Sequence, residues 1–151
     1  DVIALTSKKQ IFKLKSIKLK KILFRSKLKT ASFFQKKEYG GIIDNIGGEY
    51  IQNLINLLHK KSTAVLIGIA AGYKTNLNLS SVILENLKIV GINVEELNIT
   101  EKKIAWSKIE KIIKKNKIPK EIYRTVKFEK IIQEIKKYNR NKNFGKCLIK
   151  F

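Results

Sequence analysis

Gly40-Gly41-Ile42-Ile43-Asp44-Asn45-Ile46-Gly47-Gly48 runs straight into the segment 49–58, and Ala64-Val65-Leu66-Ile67-Gly68-Ile69-Ala70-Ala71-Gly72 follows it. The first tract is a short apolar run, Gly41 to Asp44, closed by a glycine pair that lets the chain turn tightly. Beyond that pair, Ile51, Leu54, Ile55 and Leu58 recur at spacings of three and four, the pattern of one helix face. The second tract, Ala64 to Ile69, is too short and too rich in branched residues for another helix. Strand, helix and strand in that order predict two parallel neighbours joined by a helical crossover.

The same alternation continues in both directions. Further strands are expected at Val2 to Leu5, Ile22 to Phe24, Lys88 to Val94, Tyr123 to Val126 and Lys146 to Phe151. A helix over Glu101 to Asn116 aligns Ile104, Ala105, Ile109, Ile112 and Ile113, with Thr100 as its N-cap and Pro119 beyond its end. Another, over Glu129 to Tyr138, carries Ile131, Ile132, Ile135 and Tyr138. The stretch Lys8 to Arg25 alternates lysine with Ile, Leu and Phe and reads either as a basic membrane-surface helix or as a helix docked on a sheet. The strand that follows it favours docking. The expected fold class is therefore α/β, with a doubly wound parallel sheet in one domain spanning residues 1–151.

With 151 residues and 44% hydrophobic content, the chain has material for one sizeable core. Its longest apolar run, Ala64 to Ala71, falls well short of the roughly 18 residues a membrane span needs, so no membrane partner is expected. A formal charge of +21 suits a polyanion-binding protein. The excess is nearly all lysine spread along the chain, with Arg25, Arg124 and Arg140 the only arginines, whereas phosphate and base readers favour the arginine fork and interleaved aromatics. A nucleic-acid partner is disfavoured on that ground. Cys147 is the single cysteine, which excludes an internal disulfide and fits a reducing cytoplasm; within a terminal strand it reads as an inert buried thiol. His59 reads as a cation at a helix C-terminus, and no set of residues has metal-ligand spacing. The absence of methionine and the entry from Asp1 straight into a strand suggest that residues precede this chain.

The two tracts quoted first resemble the medium-chain dehydrogenase/reductase superfamily. Glu85-Asn86-Leu87-Lys88-Ile89-Val90-Gly91-Ile92-Asn93-Val94 and then Ala105-Trp106 are similar to its zinc-independent acryloyl-coenzyme A reductase and quinone oxidoreductase branch. Val2-Ile3-Ala4-Leu5-Thr6-Ser7-Lys8, Leu14-Lys15-Ser16-Ile17 and Arg25-Ser26 lie at the spacings that branch uses after its glycine-rich turn. The likeness extends over nearly the whole chain. Departures are Ser7 for a glycine, Lys18 in place of a Leu-Gly-Ala turn, Asn93 for an aspartate and Lys146 for an arginine. The resemblance implies a Rossmann-like domain, NADPH as cofactor, a small-molecule substrate, and a homodimer through the sheet edge near the Lys88 strand.

In a doubly wound sheet the dinucleotide lies across the carboxyl ends of the strands. Thr6, Ser7 and Lys8 end the first strand, where an acid would bind a ribose 2′-hydroxyl and a cation a 2′-phosphate; no acid stands there, which favours NADPH. Lysine is about one residue in five, so Lys8 alone is weak support. Arg25 adds a second phosphate contact by resemblance. Gly68, Ile69 and Ala70 would bring backbone amides to the nicotinamide carboxamide, although any strand-to-loop turn also welcomes a glycine. Asn45, the trio Gly91, Ile92 and Asn93, and Lys146 complete the expected cofactor-binding set, and no catalytic residue is named.

No G-x-G-x-x-G occurs, so the turn that seats a pyrophosphate is lacking, as is the first, central strand of the order 3-2-1-4-5-6. Its loss leaves a gap between the strands that start at Val2 and Gly41. The expected function is that of a fragment or remnant of an NADPH-dependent oxidoreductase acting on an enoyl thioester or a quinone. Two alternatives stay open: a lysine-rich binder of nucleic acid or anionic surfaces, and an eroded product without function.

Overall fold

The computed structural model describes residues 1–6, 14, 19–24, 28, 32, 34–116, 123–138 and 145–151. The chain divides into two compact units, one over Arg25–Ile99 and the other over Asp1–Phe24 together with Thr100–Phe151.

The Arg25–Ile99 unit holds a three-stranded parallel sheet built from β3 (Tyr39–Asp44), β4 (Leu58–Leu66) and β5 (Lys88–Gly91), in that order. Helix α1 (Tyr50–Ile55) crosses from β3 to β4, and α2 (Leu79–Leu84) from β4 to β5. Ile51, Ile55, Leu58, Ala64 and Leu87 are buried together, with Tyr39, Ile42, Leu66, Val82 and Ile89 packed around them. Burial is what decides the course of the chain after α1. The helical spacing of Leu58 with Ile51 and Ile55 predicts a helix to residue 58, yet α1 ends at Ile55. The Leu57 carbonyl accepts the N–H groups of Glu38 and Tyr39 at 2.8 and 3.1 Å, which pulls the next residue into strand pairing, where Leu58 is fully buried opposite Tyr39. His59 is thus an exposed residue of β4 rather than a helix-terminal cation. The register between β3 and β4 then shifts between Tyr39 and Gly41, and Lys61 takes a left-handed φ of 63° within β4. At its other end β4 stops at Leu66, so Ile67–Ile69 form loop rather than the end of the strand.

Several buried polar groups are paired, whereas the Thr75 hydroxyl and one Arg124 guanidinium nitrogen are buried with no hydrogen-bond partner among the described residues. The Ser81 hydroxyl, fully buried, donates to the Asn56 side-chain oxygen at 2.5 Å, and Lys37 Nζ donates to the Asn56 carbonyl at 3.0 Å while lying 3.5 Å from Glu85. Burial, reinforced by the neighbouring Glu38 carboxylate, pushes the Tyr39 phenol above its ordinary range.

The second unit carries two parallel pairs. β1 (Ile3–Thr6) pairs with β2 (Lys21–Phe24), and β6 (Tyr123–Lys127) with β7 (Lys146–Lys150). Of the stretch Lys8–Arg25, read as a docked helix, the structure describes Leu14, which is helical, and residues 19–24, of which Lys21–Phe24 form β2; the rest lies outside the described residues. β5 ends at Gly91, three residues before the expected end, and a 3-10 turn over Val94–Glu96 follows. Helix α3 spans Ile99–Lys115, so Thr100 lies inside it rather than at its cap. Helix α4 (Ile131–Tyr138) follows a 3-10 turn over Phe128–Lys130 and covers the β6 face that carries Arg124, whose guanidinium is ion-paired with Glu134. That carboxylate pushes the Arg124 pKa up further. Phe128 and Phe151 stack at 5.1 Å, and Cys147 is half-buried in β7.

All seven expected strands are present. β1 and β3 each have one hydrogen-bonded neighbour within their own sheets, β2 and β4 respectively. Leu58→Ala is expected to destabilise the Arg25–Ile99 unit by about 2–5 kcal/mol, through lost transfer energy and a residual cavity. A lowered urea midpoint with an unchanged slope is the readout.

Candidate functional site

The carboxyl edge of the three-stranded sheet is formed by the loops that follow β3, β4 and β5. Because the strands are parallel, all three loops leave from the same side. This edge contains Asn45, Gly68, Ile69, Ala70, Gly91, Ile92 and Asn93, seven of the expected cofactor residues.

The first two loops are locked together by Asp44, the last residue of β3 and 8% exposed. Its carboxylate accepts the N–H groups of Ile46 at 3.2 Å and Gly47 at 2.7 Å, turning the chain, while its carbonyl accepts the N–H of Ile67 at 2.8 Å. The Ile46 carbonyl in turn accepts the Ala71 N–H at 2.6 Å, and Gly47 and Gly72 form an isolated parallel bridge. Two glycines are required by this closeness. Gly47 has φ 66°, and a Cβ on it would stand 2.5 Å from the Gly72 carbonyl oxygen. A Cβ on Gly68 would lie 2.5 Å from the Asn45 carbonyl carbon and closer still to its oxygen. The glycine at position 68 is therefore demanded by backbone packing between two loops, whatever else it does.

Gly91 differs. A Cβ there would meet nothing within 4 Å, so no described neighbour requires a glycine at the end of β5. Asn45, Ile69, Ala70, Gly91, Ile92 and Asn93 are exposed, with Ile69 at 71% and Tyr73 nearby at 78%, so the edge presents open apolar side chains around a bare backbone ledge. The Ile92 N–H donates to the Leu66 carbonyl at 2.9 Å, which ties the third loop to β4. The Asn93 side chain accepts the Glu95 N–H at 3.1 Å and caps the 3-10 turn.

Of the remaining expected residues, Thr6 is half-buried at the end of β1, and Lys146 is exposed at the start of β7. Ser7, Lys8 and Arg25 lie outside the described residues. Sequence reasoning passed over Asp44 as a site-forming residue, along with Ala71 and Gly72. An aspartate two and three residues ahead of the N–H groups it accepts is the signature of an Asx turn, and that signal was available in Asp44-Asn45-Ile46-Gly47. A separate cavity of about 180 Å³ in the second unit is lined by Arg124, Val126, Ile131, Glu134, Ile135, Cys147 and Ile149, none of them an expected site residue.

No family model matches the sequence, and no curated protein does. Solved structures do match in fold. The YhdH oxidoreductase of Salmonella enterica in complex with NADP superposes with a TM-score of 0.86 at 18% identity, over 100% of this chain and 47% of that one. E. coli K-12 YhdH with bound NADPH gives 0.83 at 17% identity, over 99% and 46%. Bacillus subtilis YhfP with NAD bound gives 0.84 at 18%, over 100% and 47%. The chain thus has the Rossmann-like α/β fold and spans less than half the length of these proteins.

Gly68→Ala is expected to force the loops after β3 and β4 apart and to lower stability by about 2 kcal/mol or more, as overpacking against backbone does. Its melting temperature should fall relative to Gly91→Ala, which has room; equal melting of the two variants would contradict the packing described.

Proposed function

We propose that this chain is part of the nucleotide-binding domain of an NADPH-dependent oxidoreductase of the medium-chain dehydrogenase/reductase kind. The observation that carries the reading is the pairing of a bare ledge at Gly91 with the glycine-tight loops after β3 and β4, on the strand edge where doubly wound folds hold dinucleotides. The fold shared with NADP- and NADPH-bound YhdH supports it.

The residues present fit a nicotinamide ring in one respect: open space above Gly91, with Ile92 and Ile69 exposed around it, leaves room for a flat, mostly apolar group. Backbone amides of the Gly68–Ala70 loop would hold the carboxamide, and Asn45 would help to fix the ring. Thr6, Ser7, Lys8 and Arg25 would take the adenosine 2′-phosphate, and Lys146 would be a further cofactor contact. NADPH, when bound, supplies the hydride. The acceptor of the whole protein is an alkene activated by a thioester carbonyl, or a quinone. Pairing of two copies along the β5 edge would give the homodimer; β5 is the outer strand of its sheet.

Calorimetry of NADPH and NADH with the purified chain, at low and at moderate salt, tests this reading. Expected is NADPH binding about tenfold tighter than NADH, equivalent to 1.4 kcal/mol, that survives screening by salt. Gly91→Val should abolish it without changing the melting temperature. Equal binding of both nucleotides that disappears with added salt would sink the proposal.

A further inference from the structure

In the loop after β4 the backbone amides on either side of Ile69 and Ala70 have acceptors, and those two do not. The Ile67 N–H donates to the Asp44 carbonyl at 2.8 Å, and the Gly68 N–H reaches the same oxygen at 3.4 Å. The Ala71 N–H donates to the Ile46 carbonyl at 2.6 Å, and the Gly72 N–H to that of Ile69 at 3.0 Å. Between these anchors the N–H groups of Ile69 and Ala70 have no hydrogen-bond acceptor among the described residues. A backbone N–H is an obligatory donor, so two consecutive ones, fixed at both flanks and left over, suit the oxygen of a ligand. All of these bonds lie within the Arg25–Ile99 unit.

Both anchors lead back to Asp44. Its main-chain carbonyl holds the near end of the loop at Ile67. Its side chain controls the far end through one peptide group. The carbonyl of Ile46 and the N–H of Gly47 belong to the same planar trans peptide, so they point in opposite directions. Asp44 Oδ2 takes that N–H at 2.7 Å, which aims the carbonyl away from the carboxylate and onto the Ala71 N–H. Asp44 Oδ1 accepts the Ile46 N–H at 3.2 Å and stops the residue from turning about its other bond.

We propose that Asp44 is a positioning residue of the nucleotide site: its carbonyl and side chain fix the two ends of the loop after β4 and so leave the Ile69 and Ala70 amides to hold the carboxamide oxygen of the nicotinamide. This role rests on the cofactor reading above and adds to it a residue that acts through the loop rather than on the nucleotide.

The full chain is titrated with NADPH, with its thionicotinamide analogue, whose sulfur is the weaker acceptor, and with adenosine 2′,5′-bisphosphate, which has no nicotinamide. The wild-type chain should prefer NADPH to the thio analogue by about tenfold, the size of a hydrogen bond. Asp44→Asn puts an amide group where an acceptor is needed; it should erase that preference and leave the bisphosphate unchanged. Asp44→Ser, a milder change that keeps one acceptor at the turn, should fall between the two. A residue that merely stabilised the fold would weaken both dinucleotides alike and preserve their ratio. Amide hydrogen exchange checks the loop directly. In the wild-type chain Ile67 and Ala71 should exchange slowly throughout, and Ile69 and Ala70 fast until NADPH slows them. An unchanged preference in both variants, or exchange at Ile69 and Ala70 that NADPH does not alter, would overturn the role of Asp44 alone. Failure of the wild-type chain to bind NADPH would overturn the cofactor reading and this role with it.

Discussion

The buried carboxylate of Asp44 organises the strand edge. Asp44 spends its two carboxylate oxygens on the N–H groups of Ile46 and Gly47 and its carbonyl on the loop after β4, so one residue fixes two loops. A buried polar group is tolerable where such N–H donors converge on it. Gly47 and Gly68 follow from that choice, because two loops drawn onto one residue leave no volume for side chains between them. Gly91 is the last residue of β5, outside this clamp, which is why its lack of a side chain calls for a different explanation.

Packing is distributed unevenly. The recorded core, from Ile51 to Leu87, belongs to the Arg25–Ile99 unit, whereas many large apolar side chains elsewhere are open to solvent. Ile43, Ile67 and Ile69 are exposed in the same unit that holds the core, and α3 buries nothing.

Much of the fold could be read from the sequence because strand and helix periods differ and the chain rarely mixes them. All seven strands were expected, and the parallel crossovers followed from their alternation with helices. Errors arose where one residue satisfied both periods. Leu58 fits the helical face of Ile51 and Ile55, but long-range pairing with Tyr39 outweighed that local spacing. Helix α2 went unread because six residues with two serines give little periodicity, although Asn78 carried its start: the side chain accepts the Ser80 N–H at 3.0 Å. At the site, the strand-end rule located Asn45, Gly68 and Gly91 correctly on one edge. It could not separate the structural glycine from the open one, since that distinction depends on how closely another loop approaches.

The β3 edge has a colloidal consequence. β3 is an edge strand among the described residues, and Tyr39–Asp44 brings two glycines and two isoleucines to an almost uncharged strand, a template on which extended chains can stack. What opposes such stacking is the lysine excess, because molecules of +21 repel one another before their edges meet. The lysines that look like compositional drift then act as a dispersant. They do so only while ions in the medium leave the field unscreened over the approach distance, about 8 Å at physiological ionic strength.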